Sequence, residues 1–512
     1  MHYLLLLALT ATKEIGPGMD VEAEVALLNP GDELVLRGGL YTLPAGRFGI
    51  NKTATQAMPI VIRSKDGETA HIRRPNQAEN LVDITGRYLV FRNLEFSGGS
   101  AGLRFENASF ITIEGCNIHD TGDVAIRAND NGVTYDGFRI LRNNVHHTND
   151  TGEAMYLGCN ANACRFANGL IEGNWVHDTN GATVVQGDGI EIKEGGYNNV
   201  IRDNVIHDTK YPCITLYSAV GNAGTPNIVE RNVMWRCGNH GVQVTQDARI
   251  RNNIILSAVD DGIALQTHAQ VTGGTGNVQV INNTVLDSNG DALSIRGATG
   301  TITVANNALY SSTGAAIFTN GSTATVTFSN NVGAGGGPML GAGNLANDFV
   351  MANFGGVVPN NVFPKAGGAL VDAGTVALVP ADDFNGTARL GVADVGAYKF
   401  AASNPGWALA AGFKGGAGGG SGAAGGSGGA AGGSGSAAGG SGATAGGAGA
   451  AAGGSGSTAG GGSGSTAGGS GSTAGGSSGG GAATEPSGCG CSGGLGALPL
   501  LALALFCRRR RL

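Results

Sequence analysis

Short apolar segments with a period of two recur along the chain. Each follows a small–apolar–any–apolar pattern, as in Gly102-Leu103-Arg104-Phe105 and Gly189-Ile190-Glu191-Ile192. Alternation over so few residues is typical of β-strands and does not fit an amphipathic helix. The pattern begins at residues 102, 125, 154, 189, 213, 241, 262 and 292. It therefore predicts a regularly spaced series of short strands.

An asparagine recurs along the chain with the same spacing as these strands. It steps along the chain by 21 to 30 residues, and Cys116 takes the equivalent place in one coil. The small residue of the strand follows it by nine residues in most coils, by ten after Asn144 and by fifteen after Asn174. The positions are Asn93, Asn144, Asn174, Asn204, Asn232, Asn253, Asn283 and Asn307.

Repeats of this length, punctuated by Asn, Gly and Asp, are typical of a solenoid whose coils stack strand on strand. Stacked strands lie about 4.8 Å apart, so equivalent residues of successive coils touch. We therefore predict an all-β, single-stranded, right-handed parallel β-helix of roughly ten or more coils. The repeated Asn side chains form a ladder, and the inward Leu, Ile, Val and Phe form the core.

Both ends of this region resemble known β-helix proteins. Residues 29–41 and 59–64 resemble the opening of carbohydrate-active β-helix proteins of the pectate-lyase-like superfamily, polysaccharide lyases in particular. Residues 382–398 resemble the closing segment of bacterial secreted β-helices. The resemblance implies the fold for about residues 13–400, but it does not fix the chemistry, because this fold hosts many functions.

Composition separates the rest of the chain from the solenoid. Of the 512 residues 93 are glycine, and many of these lie in Gly/Ser/Ala runs after residue 411. Such sequences are flexible linkers. We therefore assign residues 401–488 to a disordered Gly/Ser/Ala linker.

Both termini contain candidate targeting signals. Residues 1–12 resemble a weak signal peptide with no preceding basic residue, although a buried first strand is an alternative. Residues 489–512 combine Cys489 and Cys491, a short apolar stretch and an Arg run. They resemble the sorting signals of myxobacterial surface proteins. That resemblance implies processing by sorting machinery and a Cys anchor, so we expect a secreted protein held at the cell surface or outer membrane.

Charge narrows the partners. The formal net charge is −7, and without the five basic residues and one acid of the tail the balance is −11. Nucleic-acid binding needs clustered Lys and Arg, so we expect no nucleic-acid partner. We expect a monomer that acts on or binds a polysaccharide.

One disulfide is foreseeable in an exported chain. Cys159 and Cys164 bracket four residues, a loop that a disulfide could close. A metal site is the weaker alternative, because no second close Cys or His pair accompanies them.

Candidate chemistry lies at outward strand positions of the coils that flank the two long loops, at residues 159–164 and 180–186. Loops on a rigid scaffold are common binding sites. The polar and charged residues there are Arg104, Arg127, Tyr156, Glu191, Lys193 and Tyr217.

These residue types suit β-elimination of a uronic-acid polymer. The reaction needs a base for the C5 proton, a cation beside the uronate carboxylate and an acid at the leaving oxygen. Lys193 can be the base if its surroundings lower its pKa. Arg127 or a bound Ca²⁺ can neutralise the carboxylate, and Tyr217 can be the acid. Glu191, Tyr156 and Arg104 are then candidates for substrate binding.

Asp188-Gly189-Ile190-Glu191-Ile192-Lys193 resembles a segment of polysaccharide lyase family six, the chondroitinase-B and alginate-lyase family. In that family an acidic Ca²⁺ ligand precedes the base Lys by five residues, which implies these roles for Asp188 and Lys193. The other acidic ligand of the family falls on Gln186, and its Arg falls at about Leu216 or Tyr217. The resemblance therefore extends to two residues only.

Structural interpretations compete with these assignments. Asp188 shares a column with Glu153, Asp261 and Asp291, whose carboxylates could bond turn amides, while Glu153 and Asp188 together could instead bind Ca²⁺. Glu191 and Lys193 could be an inert surface pair. A column of His119, His147, His177 and His207 is structural or binds a metal.

The leading function is a surface-anchored carbohydrate-active protein, a lyase on an acidic polysaccharide. The first alternative is a non-catalytic β-helix that binds glycan or matrix. A polygalacturonase-like hydrolase ranks third: Asp260-Asp261-Gly262 suits it, but the His240-Gly241 pair comes before it rather than after.

Overall fold

The computed structural model describes residues 10–222, 225–268, 274–287, 289–355, 361–404, 406 and 410–415. The predicted signal peptide lies mostly outside the described residues, and the glycine-rich linker beyond residue 415, Cys489, Cys491 and the Arg run lie wholly outside them. Within the described residues no helix is both long and apolar enough to cross a membrane.

The chain coils into a parallel β-solenoid with three sheets, which confirms the predicted fold class. A complete coil contributes one strand to each sheet, and the three sheets have 13, 11 and 13 strands. The first sheet contains Thr12–Ile15, Glu33–Leu36, Ile60–Ser64, Leu89–Arg92, Thr112–Glu114, Arg139–Leu141, Leu170–Glu172, Val200–Arg202, Asn227–Glu230, Gln246–Arg251, Gly276–Ile281, Ile302–Ala305 and Val326–Ser329.

The second sheet has 11 strands and includes the small–apolar–any–apolar repeats. Its strands are Gly49–Thr53, Val82–Arg87, Leu103–Ser109, Ile126–Ala128, Met155–Leu157, Ile190–Ile192, Ile214–Leu216, Val242–Val244, Ile263–Leu265, Leu293–Arg296 and Ile317–Asn320.

The third sheet follows the Asn positions. Its strands are Gly39–Thr42, Ala70–Arg74, Leu94–Gly98, Asn117–His119, Asn144–His146, Trp175–Thr179, Val205–Thr209, Val233–Cys237, Ile254–Leu256, Thr284–Asp287, Ala308–Ser311, Asn331–Ala334 and Leu340–Ala342.

A few elements lie outside the three sheets. Two α-helices, Val21–Ala26 and Leu345–Asp348, and two 3₁₀ turns, Asn160–Asn162 and Val376–Leu378, are short. The remaining strands form two pairs, Thr134–Asp136 with Arg165–Ala167 in parallel and Phe349–Met351 with Asn361–Pro364 antiparallel.

The core is a column of inward apolar side chains along the coil axis. In the second sheet Leu103, Ile126, Met155, Ile190 and Ile214 stack in register and are fully buried. Burial of this continuous apolar column stabilises each coil against its neighbours, as expected for a solenoid.

The Asn ladder exists, with a correction to its register. In each rung an Asn Oδ1 accepts hydrogen bonds from the backbone N–H and Nδ2 of the Asn one coil earlier, as Asn204 does from Asn174 at 2.8 and 2.9 Å. The rung that follows the strand Arg139–Leu141 is Asn143, whose Oδ1 accepts from the Cys116 amide, and not Asn144. The position before the rung has positive φ, which Asn93 occupies, so Asn93 is not a rung either.

The predicted histidine column is wrong by the same single residue in that coil. His119, His146, His177 and His207 stack with ring centroids 4.8 to 5.4 Å apart, so His146 takes the place predicted for His147. The wrong asparagine rung and the wrong histidine have one origin, because both predictions took Asn144 rather than Asn143 as the repeating asparagine of that coil.

Two disulfides are present among the described cysteines. Cys159–Cys164 confirms the prediction, and Cys213–Cys237 joins neighbouring coils. Cys116 is a buried free thiol.

After the last coil the chain folds back over the third sheet. Buried side chains of the returning segment, residues 345–404, pack on Trp235, Leu256, Leu286 and Tyr310. Lys414, within the range assigned to the linker, bonds Asp203 of the solenoid at 2.8 Å.

Candidate functional site

The predicted outward column of the second sheet has the expected register. Arg104 pairs with Arg127, Arg127 with Tyr156, and Tyr156 with Glu191 on successive coils. The next strand carries Thr215 beside Glu191. The repeat therefore correctly placed these side chains on one face.

Lys193 lies at the centre of a compact cluster on that face. Its Nζ is 2.5 Å from Glu191 Oε1, 4.6 Å from the ring centre of Tyr156 and 4.9 Å from that of Tyr217. The Tyr217 hydroxyl donates to the same Glu191 oxygen at 3.2 Å. Tyr156, Glu191, Lys193 and Tyr217 are thus brought together as predicted.

The backbone beside Lys193 is shaped for this approach. The Lys193 N–H donates to Leu157 O at 2.8 Å, and Gly158, with φ of 101°, follows that strand. A β-carbon on Gly158 would sit 3.0 Å from the Lys193 Cβ. Glycine at this position therefore lets the two coils meet closely.

The cluster is buried, which the sequence did not predict. The side chains of Lys193 and Glu191 are 7% and 3% exposed. The aromatic rings of Tyr156 and Tyr217 cover the ammonium group, and His268 packs edge-on against Tyr217 with centroids 4.6 Å apart. The Glu191–Lys193 pair is therefore not an exposed surface pair.

Two further carboxyl groups adjoin Glu191. Oxygen atoms of Glu153, Asp188 and Glu191 lie within 4.8 Å of one another, and all three residues are buried. Asp188 Oδ1 accepts from Thr215 Oγ1 at 2.6 Å. Both oxygens of Glu153 and Oε2 of Glu191 are buried and accept no hydrogen bond from the described residues.

Turn amides therefore explain only part of the acidic column. Asp261 Oδ1 accepts from the Asp291 amide at 3.0 Å, and Asp291 Oδ1 from the Ala315 amide at 2.8 Å. Glu153 and Asp188 do not follow this pattern: neither Glu153 oxygen has a hydrogen bond of normal geometry among the described residues, and Asp188 accepts from a threonine hydroxyl.

The electrostatics follow from burial and crowding of like charges. Burial, and then the charge of Glu191, raise the pKa of Glu153 to about 7 and the pKa of Asp188 well above its ordinary value. Burial also raises the pKa of Glu194, another acid of this coil with two buried oxygens that lack donors among the described residues. A proton or a cation is needed to offset these carboxylates.

The direction of the Lys193 shift is opposite to the one predicted for a base. Burial acts to lower the pKa of Lys193, but the charge of Glu191 and the neighbouring Tyr217 and Tyr156 outweigh it, so the pKa is raised. Lys193 is therefore an ammonium ion while Glu191 is ionised. Burial, followed by Glu191, raises the pKa of Tyr217, so its hydroxyl keeps its proton.

The two predicted arginines have partners outside this cluster. Arg127 donates to Asp123 Oδ2 at 2.9 Å and to Asn129 Oδ1 at 3.0 Å. Arg104 donates to Asp130 at 2.6 Å and to Glu106 at 3.1 Å. Both charges are used in local ion pairs, and the predicted neutralising role of Arg127 is not visible in its contacts.

The long loops flank the cluster. The Asn160–Asn162 turn follows Tyr156, whose hydroxyl lies 3.4 Å from Asn160 Oδ1, and Cys159 closes that loop with Cys164. In the other loop Val185 and Gln186 donate backbone hydrogen bonds to Asp150 and Thr151, close to Glu153.

Three residues of this site had no predicted role: Thr215, which the repeat places in the outward column, Glu194 and His268. Thr215 and Glu194 could have been found, since one lies in the outward column and the other follows Lys193. His268 lies three residues past a strand in a loop, where the repeat gives no register.

The third-ranked hydrolase motif is engaged in structural contacts. Asp261 Oδ2 accepts from Ser294 Oγ at 2.7 Å and from Arg296 at 2.9 Å, while Asp260 accepts from Asn239. His240 Nδ1 accepts from the Asp261 amide at 3.2 Å. These groups are committed to neighbouring coils.

Comparison with known proteins agrees on the architecture. The family model described as the right handed beta helix region matches residues 167–273. No curated protein sequence matches the chain.

Solved structures give distant likenesses to polysaccharide lyases. Pectate lyase Pel9A is 17% identical, with 77% of this chain and 97% of that chain covered and a TM-score of 0.46. An alginate lyase from Paenibacillus sp. str. FPU-7 is 16% identical, covering 65% and 99%, with a TM-score of 0.39. A mannuronic acid specific family 6 lyase from human gut microbiota is 16% identical, covering 63% and 86%, at 0.40. The family match shows that the chain contains a right-handed β-helix region.

Proposed function

We propose that this protein is a carbohydrate-active β-helix that cleaves an acidic polysaccharide by β-elimination at the Lys193 cluster. The observation that supports it is the meeting of one ammonium group, two phenols and three carboxyl groups on adjacent coils. β-Elimination beside a uronate needs a base, an acid and charge neutralisation within one site.

Tyr217 is the proposed proton donor to the leaving oxygen. Its hydroxyl keeps its proton, because burial raises its pKa and it faces the charge of Glu191. Lys193 is the proposed base for the C5 proton. It can accept a proton only after losing its own, and this requires that the negative charge of Glu191 be neutralised first.

The three carboxyl groups fit a hard divalent cation such as Ca²⁺. Glu153, Asp188 and Glu191 would hold it, since Glu153 and Glu191 offer buried oxygens that lack donors within the described region and an oxygen of Asp188 lies within 4.8 Å of theirs. Bound there, the cation would neutralise the negative charge of the substrate carboxylate. It would also neutralise the negative charge of Glu191 beside Lys193. Tyr156 and Tyr217 exclude water from the ammonium group, so a substrate has to displace at least one of these rings.

A panel of polymers tests this function. The purified full chain is incubated with alginate, pectate and chondroitin, with added Ca²⁺ or with a chelator, while the ultraviolet absorbance of unsaturated uronate is followed. Product that forms on one polymer and falls with the chelator supports the proposal. Absence of product on every polymer, with and without Ca²⁺, would rule out the lyase.

One observation favours a second function, a non-catalytic β-helix that binds glycan or matrix. Lys193 is covered by aromatic rings and paired with Glu191 at 2.5 Å, an arrangement that also suits a fixed structural cluster. Retention on a polysaccharide column without any unsaturated product distinguishes binding from cleavage.

We also propose that the protein is exported and held at the cell surface through Cys489 or Cys491. Support comes from the sequence alone, in the Cys, apolar and Arg order of residues 489–512. Replacing both cysteines with serine should shift the protein from the cell envelope to the medium in a fractionation assay. An unchanged distribution would contradict the anchor.

A further inference from the structure

Two histidines and a glutamate meet on three successive coils of the third sheet, far along the chain from Lys193. His71 lies in Ala70–Arg74, Glu95 in Leu94–Gly98 and His119 in Asn117–His119. His71 pairs directly with Glu95, and His119 pairs with Ser97, so all these side chains leave the same face of the sheet. Each is partly exposed.

The distances between the polar atoms fit a common metal ion. Glu95 Oε1 is 3.4 Å from His71 Nδ1 and 3.2 Å from His119 Nε2, and one potential ligand atom of each residue lies within 4.8 Å of the other two. With Zn–N and Zn–O bonds of about 2.0 Å, neighbouring ligand atoms of a tetrahedral site are roughly 3.3 Å apart. The glutamate oxygen therefore already lies at a tetrahedral edge length from both imidazoles.

The nitrogen of each imidazole that faces away from Glu95 has its own polar partner. His71 Nε2 is 2.7 Å from Ser97 Oγ, and His119 Nδ1 is 2.8 Å from Asp120 Oδ2. Such partners fix the ring orientation and leave the inner nitrogen free to bind a metal. A carboxylate that accepts a hydrogen bond from the N–H of the outer nitrogen also increases the basicity of the inner nitrogen.

A neighbouring ring holds His119 in place. The His146 ring is parallel to it within 1°, with centroids 4.9 Å apart. The ligand set is therefore positioned by the sheet register, by outer hydrogen bonds and by stacking.

We propose that His71, Glu95 and His119 form a binding site for Zn²⁺. Two imidazoles and one carboxylate suit zinc, whereas Ca²⁺ prefers an all-oxygen set. Three protein ligands leave a fourth position, which faces solvent because all three side chains are partly exposed. The ion ties three coils together and can accept water or another donor there. This site is independent of the lyase proposal, since it uses a different sheet and a different metal.

Titration with Zn²⁺ alone tests the site. The full chain is stripped with a chelator, its free thiols are alkylated, and Zn²⁺ binding is measured by calorimetry. Co²⁺ as a substitute should give the intense visible absorption of a four-coordinate site. We expect His71→Ala and His119→Ala to weaken Zn²⁺ binding more than about 100-fold, because loss of an outer partner alone costs about 10- to 100-fold. Asp120→Asn should weaken Zn²⁺ binding about tenfold, because it removes the carboxylate that bonds the outer nitrogen of His119.

His147→Ala is the matched control, because it removes an exposed imidazole beside His146 without touching the proposed ligands. It should bind Zn²⁺ as the wild type does. Glu95→Gln keeps the side-chain shape, so its metal-free melting temperature should match the wild type while zinc no longer raises it. Equal Zn²⁺ affinity in wild type, His71→Ala and His119→Ala would overturn the proposal, as would loss of binding in His147→Ala alone.

Discussion

Glu153 has an unusual environment for a carboxyl group. It is fully buried, neither oxygen accepts a hydrogen bond from the described residues, and Asp188 and Glu191 are its neighbours. Burial raises its pKa to about 7 from an ordinary value near 4.5. The folded protein therefore holds a proton that the unfolded chain has already released between those two pH values.

The sign of the resulting pH dependence follows directly. The folded state favours the protonated form of Glu153. Its stabilising contribution to the free energy of unfolding is therefore fully present below about pH 4.5 and is lost as the pH rises through about 7. In chelator, Glu153→Gln should be more stable than wild type at about pH 8, by up to about 3 kcal/mol, and should differ little at about pH 4.5. Chemical denaturation at the two pH values measures this.

The exposed Glu14→Gln is the control for that comparison and should shift stability little at either pH. A Glu153→Gln variant whose stability follows the wild-type pH profile would show that this carboxyl group is not buried as described.

At the residue scale, the repeat predicted which side chains lie next to one another, but it did not predict how deeply each side chain is buried. Tyr156 and Glu191 could be placed side by side because every coil adds one strand to the column. The burial of Lys193 could not be predicted, since it depends on the rings of Tyr156 and Tyr217 folding over it. The raised pKa of Lys193 follows from that burial and from the proximity of Glu191.

The Asn ladder is the element that keeps the coils in register. Within the ladder the side chain of a rung makes four buried hydrogen bonds: Asn204 accepts twice from Asn174 and donates to Ile171 O at 3.0 Å and to Asn232 Oδ1 at 2.9 Å. The sequence predicted the ladder, but a pair such as Asn143-Asn144 offers two candidates one residue apart. The structure distinguishes them, because Asn143 is fully buried and bonds the Cys116 amide and Asn174.

Asn204→Ala should therefore lower the free energy of unfolding by about 3 kcal/mol, because it leaves buried donors of Asn174 without an acceptor. Equilibrium denaturation followed by circular dichroism measures the loss. Asn51→Ala, an exposed position in Gly49–Thr53, should cost little. Equal losses in the two variants would show that the ladder is not a main source of stability.

At the scale of the whole molecule, the returning segment shields the later coils of the third sheet. Arg389 is almost fully buried there and donates to Asn252 Oδ1 at 3.0 Å and to Gly396 O at 2.8 Å. Burial lowers its pKa to about 10, so it remains charged at neutral pH. The sequence identified residues 382–398 as a closing segment, but no periodicity could tell which sheet they would cover.

Arg389→Ala should destabilise the protein by about 2 kcal/mol and expose residues 345–404 to limited proteolysis, because the segment loses its bond to Asn252 of the solenoid and its internal bond to Gly396 O. The exposed Arg73→Ala serves as the control. Unchanged cleavage of residues 345–404 in the Arg389 variant would mean that apolar packing alone holds the segment.

Cleavage of a uronic-acid polymer at the Lys193 cluster can be tested by comparing two lysine variants. On the polymer that the wild type degrades, formation of unsaturated product is measured for Lys193→Ala and for Lys210→Ala, an exposed lysine on the next coil. We expect Lys193→Ala to lose at least about 100-fold of the rate, as for removal of a general base, and Lys210→Ala to keep it. A Lys193→Ala variant as active as the wild type would contradict the assignment of this cluster as the active site.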